Sequence, residues 1–317
     1  MNSAPKKHII ETGDLELQAE SLTNWKQTYD QTSAGKFYGR TEKIDSTQFH
    51  IFQEYTSHAL HQDCQLWRNA MWIGVPFAHQ KDSRINGQLI RDNTLACQFG
   101  EKEFELVTPE QFSIYGVVIE ETMLAYIAEI ENIDLVRMQQ NPFRQFTIKP
   151  QQMELILSLL NRFMSQTVTG ATLEEIKQDF ILGTILQDLP VNSIDTPQVL
   201  PSYRHRKQVV DRVRTYLNDC RNNTPVTMSE LCDIAHVSRR TLQYSFQTIL
   251  GCSPLRFLRT MRLNEVRRTL KASDGEKQIS DIASNWGFWH AGQFSQDYKQ
   301  LFGELPSETV KKAKKYK

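Results

Sequence analysis

Residues 227–246 read TMSELCDIAHVSRRTLQYSF, and residues 278–303 read QISDIASNWGFWHAGQFSQDYKQLFG. Both stretches have one plan: a short amphipathic helix, a tight turn, and a second helix with an apolar stripe and a polar outer face. This plan is the helix-turn-helix pattern, in which the second helix lies in the major groove of DNA. We call that second helix the reading helix, and the sequence predicts two of them.

The first copy carries clear helix signals. Thr227 and Glu230 fit a capping box, the turn falls at His236, and Ser238 fits the N-cap of the reading helix. The buried stripe of this reading helix is predicted at Leu242, Phe246 and Ile249. Its outer face carries long side chains that reach base edges and phosphates, and these candidate DNA-binding residues are Arg239, Arg240, Gln243, Tyr244 and Gln247.

The second copy repeats the pattern with fewer positive charges on its reading helix. Gly287 fits the left-handed position after its first helix. The predicted buried face of its reading helix consists of Phe294, Tyr298, Leu301 and Phe302. Its candidate DNA-binding residues are His290, Gln293, Gln296 and Lys299. Because Gly292 and Asp297 also lie on this helix, we expect the first copy to anchor the protein and the second to add little binding energy or to read a degenerate site.

Residues 254–271 between the two copies predict one continuous helix. Pro254 suits its first turn, and five arginines surround its apolar face, namely Arg256, Arg259, Arg262, Arg267 and Arg268. A helix of this length spans roughly 25 Å. Such a strut would hold two reading helices near one turn of DNA apart, about 34 Å, so that a single chain reads two grooves.

Residues 205–315 resemble the tandem helix-turn-helix domain of the AraC/XylS-type transcription regulators. The resemblance rests on LCDIAHVSRRTLQYSF at 231–246, GCSPLRFLRTMRL at 251–263 and ISDIASNWGFWHAGQFSQDYKQLFGELPSE at 279–308. It implies double-stranded DNA and RNA polymerase as partners, base contacts at the outward helix positions named above, and activation rather than repression. The stretch QTSAGKFYG at 31–39 also resembles the regulators of ethanolamine utilisation, but it does not assign a ligand.

The charge is divided between the two parts of the chain. Residues 201–317 carry 21 Lys and Arg against 11 Asp and Glu, or +10, whereas residues 1–200 carry 16 against 26, or −10. A basic C-terminal part is typical of a phosphate binder. The five cysteines show no paired spacing, and no apolar run reaches 18 residues. We therefore expect reduced thiols, a cytoplasmic location and no membrane span.

The first part of the chain has a different residue pattern. Short segments between residues 35 and 119 are rich in β-branched and aromatic residues, and helical periodicity follows from residue 120. We predict an α+β protein in which a cupin-like β-barrel with helices precedes an all-α domain.

The predicted regions are an effector-sensing or dimerisation domain at 1–187, a proline-containing linker at 188–204, and the DNA-binding domain at 205–317. Residues 1–14 are expected to be a loose start. Ile156, Leu160 and Met164 fit either a dimer interface or the core of the front domain.

An enzymatic front domain is the alternative interpretation. It would make the chain a cupin-type enzyme or a DNA-repair protein with a similar DNA-binding domain. However, the sequence has no G-x-S-x-G motif of hydrolases, no Gly-rich phosphate-binding loop and no H-E-x-x-H motif of zinc proteases. His58 and His61 are three residues apart, which on a strand puts them on opposite faces, so we expect exposed loop histidines. We predict no catalytic residue, no metal and no cofactor, and the effector-binding residues are not assigned.

Overall fold

A computed structural model describes residues 6–45, 49–77, 82–130, 143–165, 183–185, 201–219, 226–273 and 277–314. The chain divides into two compact units. Residues 1–29, 38–57 and 62–198 form the first, which we call the β unit. Residues 30–37, 58–61 and 199–317 form the second, which we call the helical unit. None of the helices in the described ranges combines the length and the apolarity needed to cross a membrane.

Antiparallel strands dominate the β unit. The strands, in chain order, are β1 (Lys6–Thr12), β2 (Lys26–Gln31), β3 (Gly39–Asp45), β4 (Phe49–Thr56), β5 (Leu60–Gln65), β6 (Ala70–Pro76), β7 (Arg84–Ile85), β8 (Gln88–Leu89), β9 (Thr94–Phe99), β10 (Glu103–Thr108), β11 (Phe112–Glu120) and β12 (Phe143–Thr147). Its helices are α1 (Leu15–Ala19), α2 (Glu121–Ile130) and α3 (Pro150–Ser165). A seven-stranded sheet has the order β1-β3-β4-β11-β6-β9-β12, and a five-stranded sheet has the order β2-β5-β10-β7-β8.

Both faces of the seven-stranded sheet are buried, and strand alternation assigns each side chain to one face. Along β6, Met71 and Ile73 belong to one core cluster, whereas Trp72 between them belongs to another. The first cluster includes Ile156 and Leu160 of α3, so helices cover that face. The second cluster joins residues of both sheets. We call the face of the seven-stranded sheet that carries Trp72 the interior face.

The structure confirms the α+β class, with strands first and a helical C-terminal region, and corrects several details. In the described residues the strands form two separate sheets rather than one closed barrel. Residues 6–12 form β1, paired along its length with β3, and are therefore not a loose start. Ile156, Leu160 and Met164 belong to the core. The part of the predicted linker 188–204 before residue 201 lies outside the described residues.

Seven helices in the described residues make up most of the helical unit. They are α4 (Pro201–Asp219), α5 (Met228–Ala235), α6 (Arg239–Leu250), α7 (Pro254–Ala272), α8 (Ile279–Asn285), α9 (Ala291–Phe302) and α10 (Pro306–Ala313). The reading helices are thus α6 and α9. The strut is α7, which begins with Pro254 in its first turn after the N-cap Ser253. Nineteen residues give α7 a length of about 28 Å.

The helical unit also contains two short segments from early in the sequence. Asn264 of α7, 1% exposed, accepts the backbone N–H of Gln31 through Oδ1 at 3.0 Å and donates to the Gln31 carbonyl at 3.1 Å. Gln31 Nε2 in turn donates to the carbonyl of Leu301 at the end of α9, at 2.7 Å. Arg268 pairs with Asp30 at 2.8 Å. Residues 30–37 are therefore joined to both the strut and the second reading helix.

His61 belongs to the second of these segments and corrects another expectation. His61 is 6% exposed, and its ring meets the ring of Phe257 edge-on, with a centroid distance of 6.0 Å. His61 is therefore packed against α7 and is not an exposed loop histidine, while His58 is half-buried.

Asn264→Ala should destabilise the helical unit. The substitution leaves the backbone N–H and carbonyl of Gln31 buried without Asn264, and each such group costs about 1–3 kcal/mol. We expect a lower free energy of unfolding in urea, followed by circular dichroism on the full chain. Gln300→Ala, at an exposed position on α9, is the matched control. Equal stability of the two variants would show that the Asn264 bonds add nothing to the fold.

Candidate nucleic-acid interface

The first helix-turn-helix forms from local signals in the sequence. Thr227 Oγ1 accepts the N–H of Glu230, and the Glu230 side chain returns to the Thr227 N–H, which completes the predicted capping box. His236 ends α5 in the left-handed conformation with φ of 55°. Ser238 then caps α6 by accepting the N–H of Thr241 at 3.2 Å. These turns fix the direction in which α6 leaves α5.

Burial of one side of α6 determines which side faces solvent. Leu242, Phe246 and Ile249 are each 0% exposed, as the stripe predicted. All five candidate DNA-binding residues of this helix are exposed: Arg239, Arg240, Gln243, Tyr244 and Gln247. Residues spaced i, i+4 and i+7 along this surface extend over about 10 Å, the length of a short run of base pairs.

Two of these side chains already have partners within the protein. Tyr244 is 61% exposed, and the guanidinium of Arg206 from α4 lies 4.9 Å from the centre of its ring. Gln247 Nε2 donates to the carbonyl of Gly251 at 3.2 Å, just past the end of α6. Arg239, Arg240 and Gln243 are the exposed residues of α6 for which the structure gives no such contact.

The second reading helix, α9, has the same arrangement. Its buried face is Phe294, Tyr298, Leu301 and Phe302, as predicted. His290, Gln293, Gln296 and Lys299 are all exposed. Gly287 before it has φ of 83°, the left-handed position that the sequence predicted. His290 is the N-cap of α9 but makes no side-chain capping bond.

Asp297 is held in place rather than left as a free negative charge on α9. It forms an ion pair with Arg259 of the strut, and it accepts Gln293 Nε2 at 2.9 Å. Its side chain is 11% exposed, whereas that of Arg259 is 52% exposed. The pair cancels one charge of each sign beside the second reading helix and orients the amide of Gln293. A Cβ added at Gly292 in the first turn of α9 would meet no atom within 4 Å.

The five arginines of the strut have different environments. Arg267 is buried against Glu304, and Arg268 binds Asp30 and Glu265. Arg262 lies beside the turn at Gly287, where burial lowers the pKa of its guanidinium. Only Arg256 and Arg259 of the five are exposed. Three of the five therefore serve the fold, and two remain on the surface.

Glu304 joins the end of the second helix-turn-helix to the strut and to α10. It is 7% exposed and accepts hydrogen bonds from Arg267 at 2.7 Å, from Thr309 at 2.8 Å, and from Lys312. Burial by itself would raise the pKa of Glu304. The bond from Lys312, the Arg267 charge and the Thr309 bond outweigh burial and hold the pKa below its ordinary value of 4.5. Lys312 is thus part of the fold.

Two residues beside the reading helices were not among the candidates from the sequence. Arg206 contacts Tyr244, and Arg259 contacts Asp297. Arg206 comes from a helix some forty residues earlier, and Arg259 comes from the strut, so no periodicity of α6 or α9 could have identified them. The abundance of arginine in both source helices was the only available signal.

Glu304→Gln should weaken the helical unit near neutral pH. A carboxylate whose folded pKa is lowered adds stability above its unfolded pKa and loses it as the pH falls through the folded value. We expect a loss of about 2 kcal/mol near pH 7, from charge-assisted hydrogen bonds. The difference from the unmodified chain should shrink as the pH falls below about 4.5.

Urea unfolding of the full chain at a series of pH values measures this effect. Asp233→Asn, which removes an exposed carboxylate on α5, is the matched control. If Glu304→Gln lowered the free energy of unfolding by the same amount at every pH, the Glu304 charge would not stabilise the fold.

Comparisons with known proteins agree with this geometry. A family model described as a helix-turn-helix domain matches residues 231–312. Over 88 residues the chain is 39% identical to a probable thc operon regulatory protein from Rhodococcus erythropolis, covering 27% of this chain and 26% of that protein. Over 91 residues it is 34% identical to a XylDLEGF operon transcriptional activator from Pseudomonas putida, covering 28% of each.

The solved structures include a probable AraC family transcriptional regulator from Rhodopseudomonas palustris. It is 31% identical, covers 33% of this chain and 96% of that one, and has a TM-score of 0.31. The chain thus matches about a quarter of the length of the curated relatives above. The family model spans both reading helices, and residues 231–312 are a helix-turn-helix domain.

Proposed function

We propose that this chain is a sequence-specific transcription regulator that inserts α6 and α9 into two successive major grooves of one DNA duplex. One observation carries the proposal: two helix-turn-helix motifs flank a single strut, and each has a reading helix that is buried on one side and exposes polar side chains on the other. An apolar side fixes the helix to the protein, and a polar exposed side is available to base edges.

The residues divide into two roles. Arg240 makes a bidentate contact to guanine, with Gln243 and Tyr244 beside it, because a guanidinium matches the two acceptors of that base. Arg239, in the first turn of α6, binds a phosphate. Gln293 and Gln296 of α9 suit adenine. Completing the interface are Gln247, His290 and Lys299.

The wider role of the protein follows from its relatives. Several are named as operon activators, which favours activation and contact with RNA polymerase in the cytoplasm. The front domain, residues 1–187, then serves as a non-enzymatic sensor of a small effector or as a dimerisation domain. The linker at 188–204 and the DNA-binding domain at 205–317 complete this organisation. The likeness of residues 31–39 to ethanolamine-utilisation regulators stays a prediction.

Selection of bound duplexes from a random library tests the regulator proposal. Full-length protein at near-physiological salt should enrich two short blocks whose centres are separated by about one helical turn of DNA. One enriched block would show that only one helix reads bases and would contradict the two-groove proposal. No enrichment would contradict sequence-specific binding altogether.

Variants at the reading helices should differ in how much DNA-binding free energy they lose and in whether they lose base preference or salt dependence. On the selected duplex, Arg240→Ala should cost about 1–3 kcal/mol and relax the preference at one base position. Arg239→Ala should weaken binding to all sequences and reduce the salt dependence by about one ion. Gln296→Ala should cost less than Arg240→Ala, because α6 anchors the protein.

Binding isotherms at several salt concentrations, on the selected duplex and on a scrambled one, measure these differences. Equal losses for Arg240→Ala and Gln296→Ala would show that the two helices contribute alike. A uniform loss for Arg240→Ala across both duplexes would reassign that arginine to the phosphate backbone.

A further inference from the structure

Three polar side chains form a continuous series of contacts beside the second reading helix. The guanidinium of Arg259, on the strut, forms an ion pair with Oδ2 of Asp297 on α9. Oδ1 of the same carboxylate accepts Nε2 of Gln293 at 2.9 Å. Gln293 and Asp297 are four residues apart, a spacing at which side chains meet on a helix surface. We call Arg259, Asp297 and Gln293 the α9 triad.

The central residue of the α9 triad is the most covered of the three. The Asp297 side chain is 11% exposed, whereas that of Arg259 is 52% exposed and Gln293 is exposed. Asp297 is therefore largely shielded from water, and its two oxygens are divided between a cation of the strut and an amide of the reading helix. The amide of Gln293 lies on the outer face, where a base edge can reach it.

The carboxylate determines which end of the Gln293 amide turns toward it. An ionised carboxylate only accepts hydrogen bonds, so the NH2 group of the amide faces Asp297 and the amide oxygen turns away. A glutamine without such a partner can rotate its terminal amide by half a turn and exchange donor for acceptor. Contact with Asp297 occupies one N–H of Gln293, which leaves the second N–H and the oxygen for a ligand.

One N–H and one oxygen are the complement of adenine in the major groove. Adenine presents the N7 acceptor beside the N6 donor, whereas guanine presents two acceptors, N7 and O6. Opposite guanine, the Gln293 oxygen would face O6 with no hydrogen between them. An unrestrained glutamine could offer both of its N–H groups to guanine, but Asp297 already accepts one of them.

Arg259 makes this arrangement compatible with a DNA surface. An isolated carboxylate on a reading helix would repel the phosphates of a bound duplex. The Arg259 charge cancels that of Asp297 and takes one carboxylate oxygen, so that the other oxygen stays directed at Gln293. Without Arg259, the Asp297 side chain would lose the contact that sets its orientation.

We propose that Arg259 and Asp297 are positioning residues, which make Gln293 selective for adenine over guanine at one base pair. Gln293 contacts the base, and the other two residues act through its amide. This inference rests on the proposed function, because it identifies the source of base preference in the second reading helix. A pair that served only to join the strut to α9 would change affinity for all duplexes alike and leave base preference unaltered.

Duplexes that differ at single base pairs test the proposal. Each position of the enriched blocks is changed in turn to the other base pairs, and the Kd of the full chain is measured for each duplex. The unmodified chain should prefer adenine to guanine by about fivefold or more at a position where Gln293→Ala removes that preference. If no position depends on Gln293, the specificity role is wrong.

Two substitutions change the positioning residues and leave Gln293 intact. Arg259→Met should bring the adenine preference close to that of Gln293→Ala. In Asp297→Asn, the new amide can keep its oxygen on Arg259 and turn its NH2 group to Gln293, which reverses the Gln293 amide. Both N–H groups of Gln293 then face the base, so the preference should move toward guanine. Arg259→Lys keeps a cation beside Asp297 and should restore most of the adenine preference.

Arg256→Met is the matched control, because Arg256 is the other exposed arginine of the strut. It removes the same charge, so it shows the loss of affinity due to charge alone, and it should keep the adenine preference. Urea unfolding establishes that each variant is folded, and the near-isosteric Asp297→Asn decides the question if Arg259→Met is not. Retention of the adenine preference by Asp297→Asn and Arg259→Met would overturn the positioning roles.

The outcome is separable from the proposed function. Enrichment of duplexes is measured first, with the unmodified chain. If a bipartite duplex is enriched and the α9 triad variants leave its base preferences unchanged, the regulator proposal stands and the triad assignment is wrong. If no duplex is enriched, sequence-specific binding is contradicted, and the triad assignment is overturned with it.

Discussion

Burial of one side of each reading helix is the constraint on which the rest of the DNA-binding surface depends. Phe246 and Tyr298 are both 0% exposed, and each lies within the buried stripe of its helix. Once that stripe is buried, the rotation of the helix is fixed, and so is the set of side chains that face outward. The charges of the outer side chains have little influence on this rotation. The same stripe with a different outer face would present a different set of base contacts on an unchanged fold.

The basic excess of the C-terminal part illustrates why charge counting alone misassigns residues. Arg267 and Arg268 contribute to that excess, yet both neutralise carboxylates inside the helical unit. Arg259 is exposed, but its charge is cancelled by the carboxylate of Asp297 on the second reading helix. What remains for phosphates is smaller than the sequence suggests, and it includes the exposed Arg239 and Arg240 in the first turn of α6. That distribution is consistent with the hypothesis that the first motif anchors the protein and the second adds little binding energy or reads a degenerate site.

The sequence predicted the two motifs well and the front of the chain only coarsely, for a physical reason. Caps such as Thr227 and Ser238, and stripes at helical spacing, are local signals that need no distant partner. By contrast, β1 forms because it pairs with β3, and its polar sequence gave no sign of a strand. The bonds between Gln31 and Asn264 join residues 233 positions apart, which no local pattern can reveal. Strand formation depends on such context more than helix formation does.

Two buried glutamates show how the same side chain serves different ends. Glu304 is surrounded by Arg267 and Lys312, so its charge is compensated within the fold and stabilises it. Glu54 has two neutral donors, Gln18 and Tyr29, and the amide oxygen of Gln18 has no hydrogen-bond partner. A fold selected only for stability would replace such a carboxylate with an apolar or amide side chain, because an uncompensated buried charge is costly. The Glu304 charge therefore contributes to the stability of the helical unit, whereas the hydrogen-bond donors to Glu54 are the neutral groups of Gln18 and Tyr29.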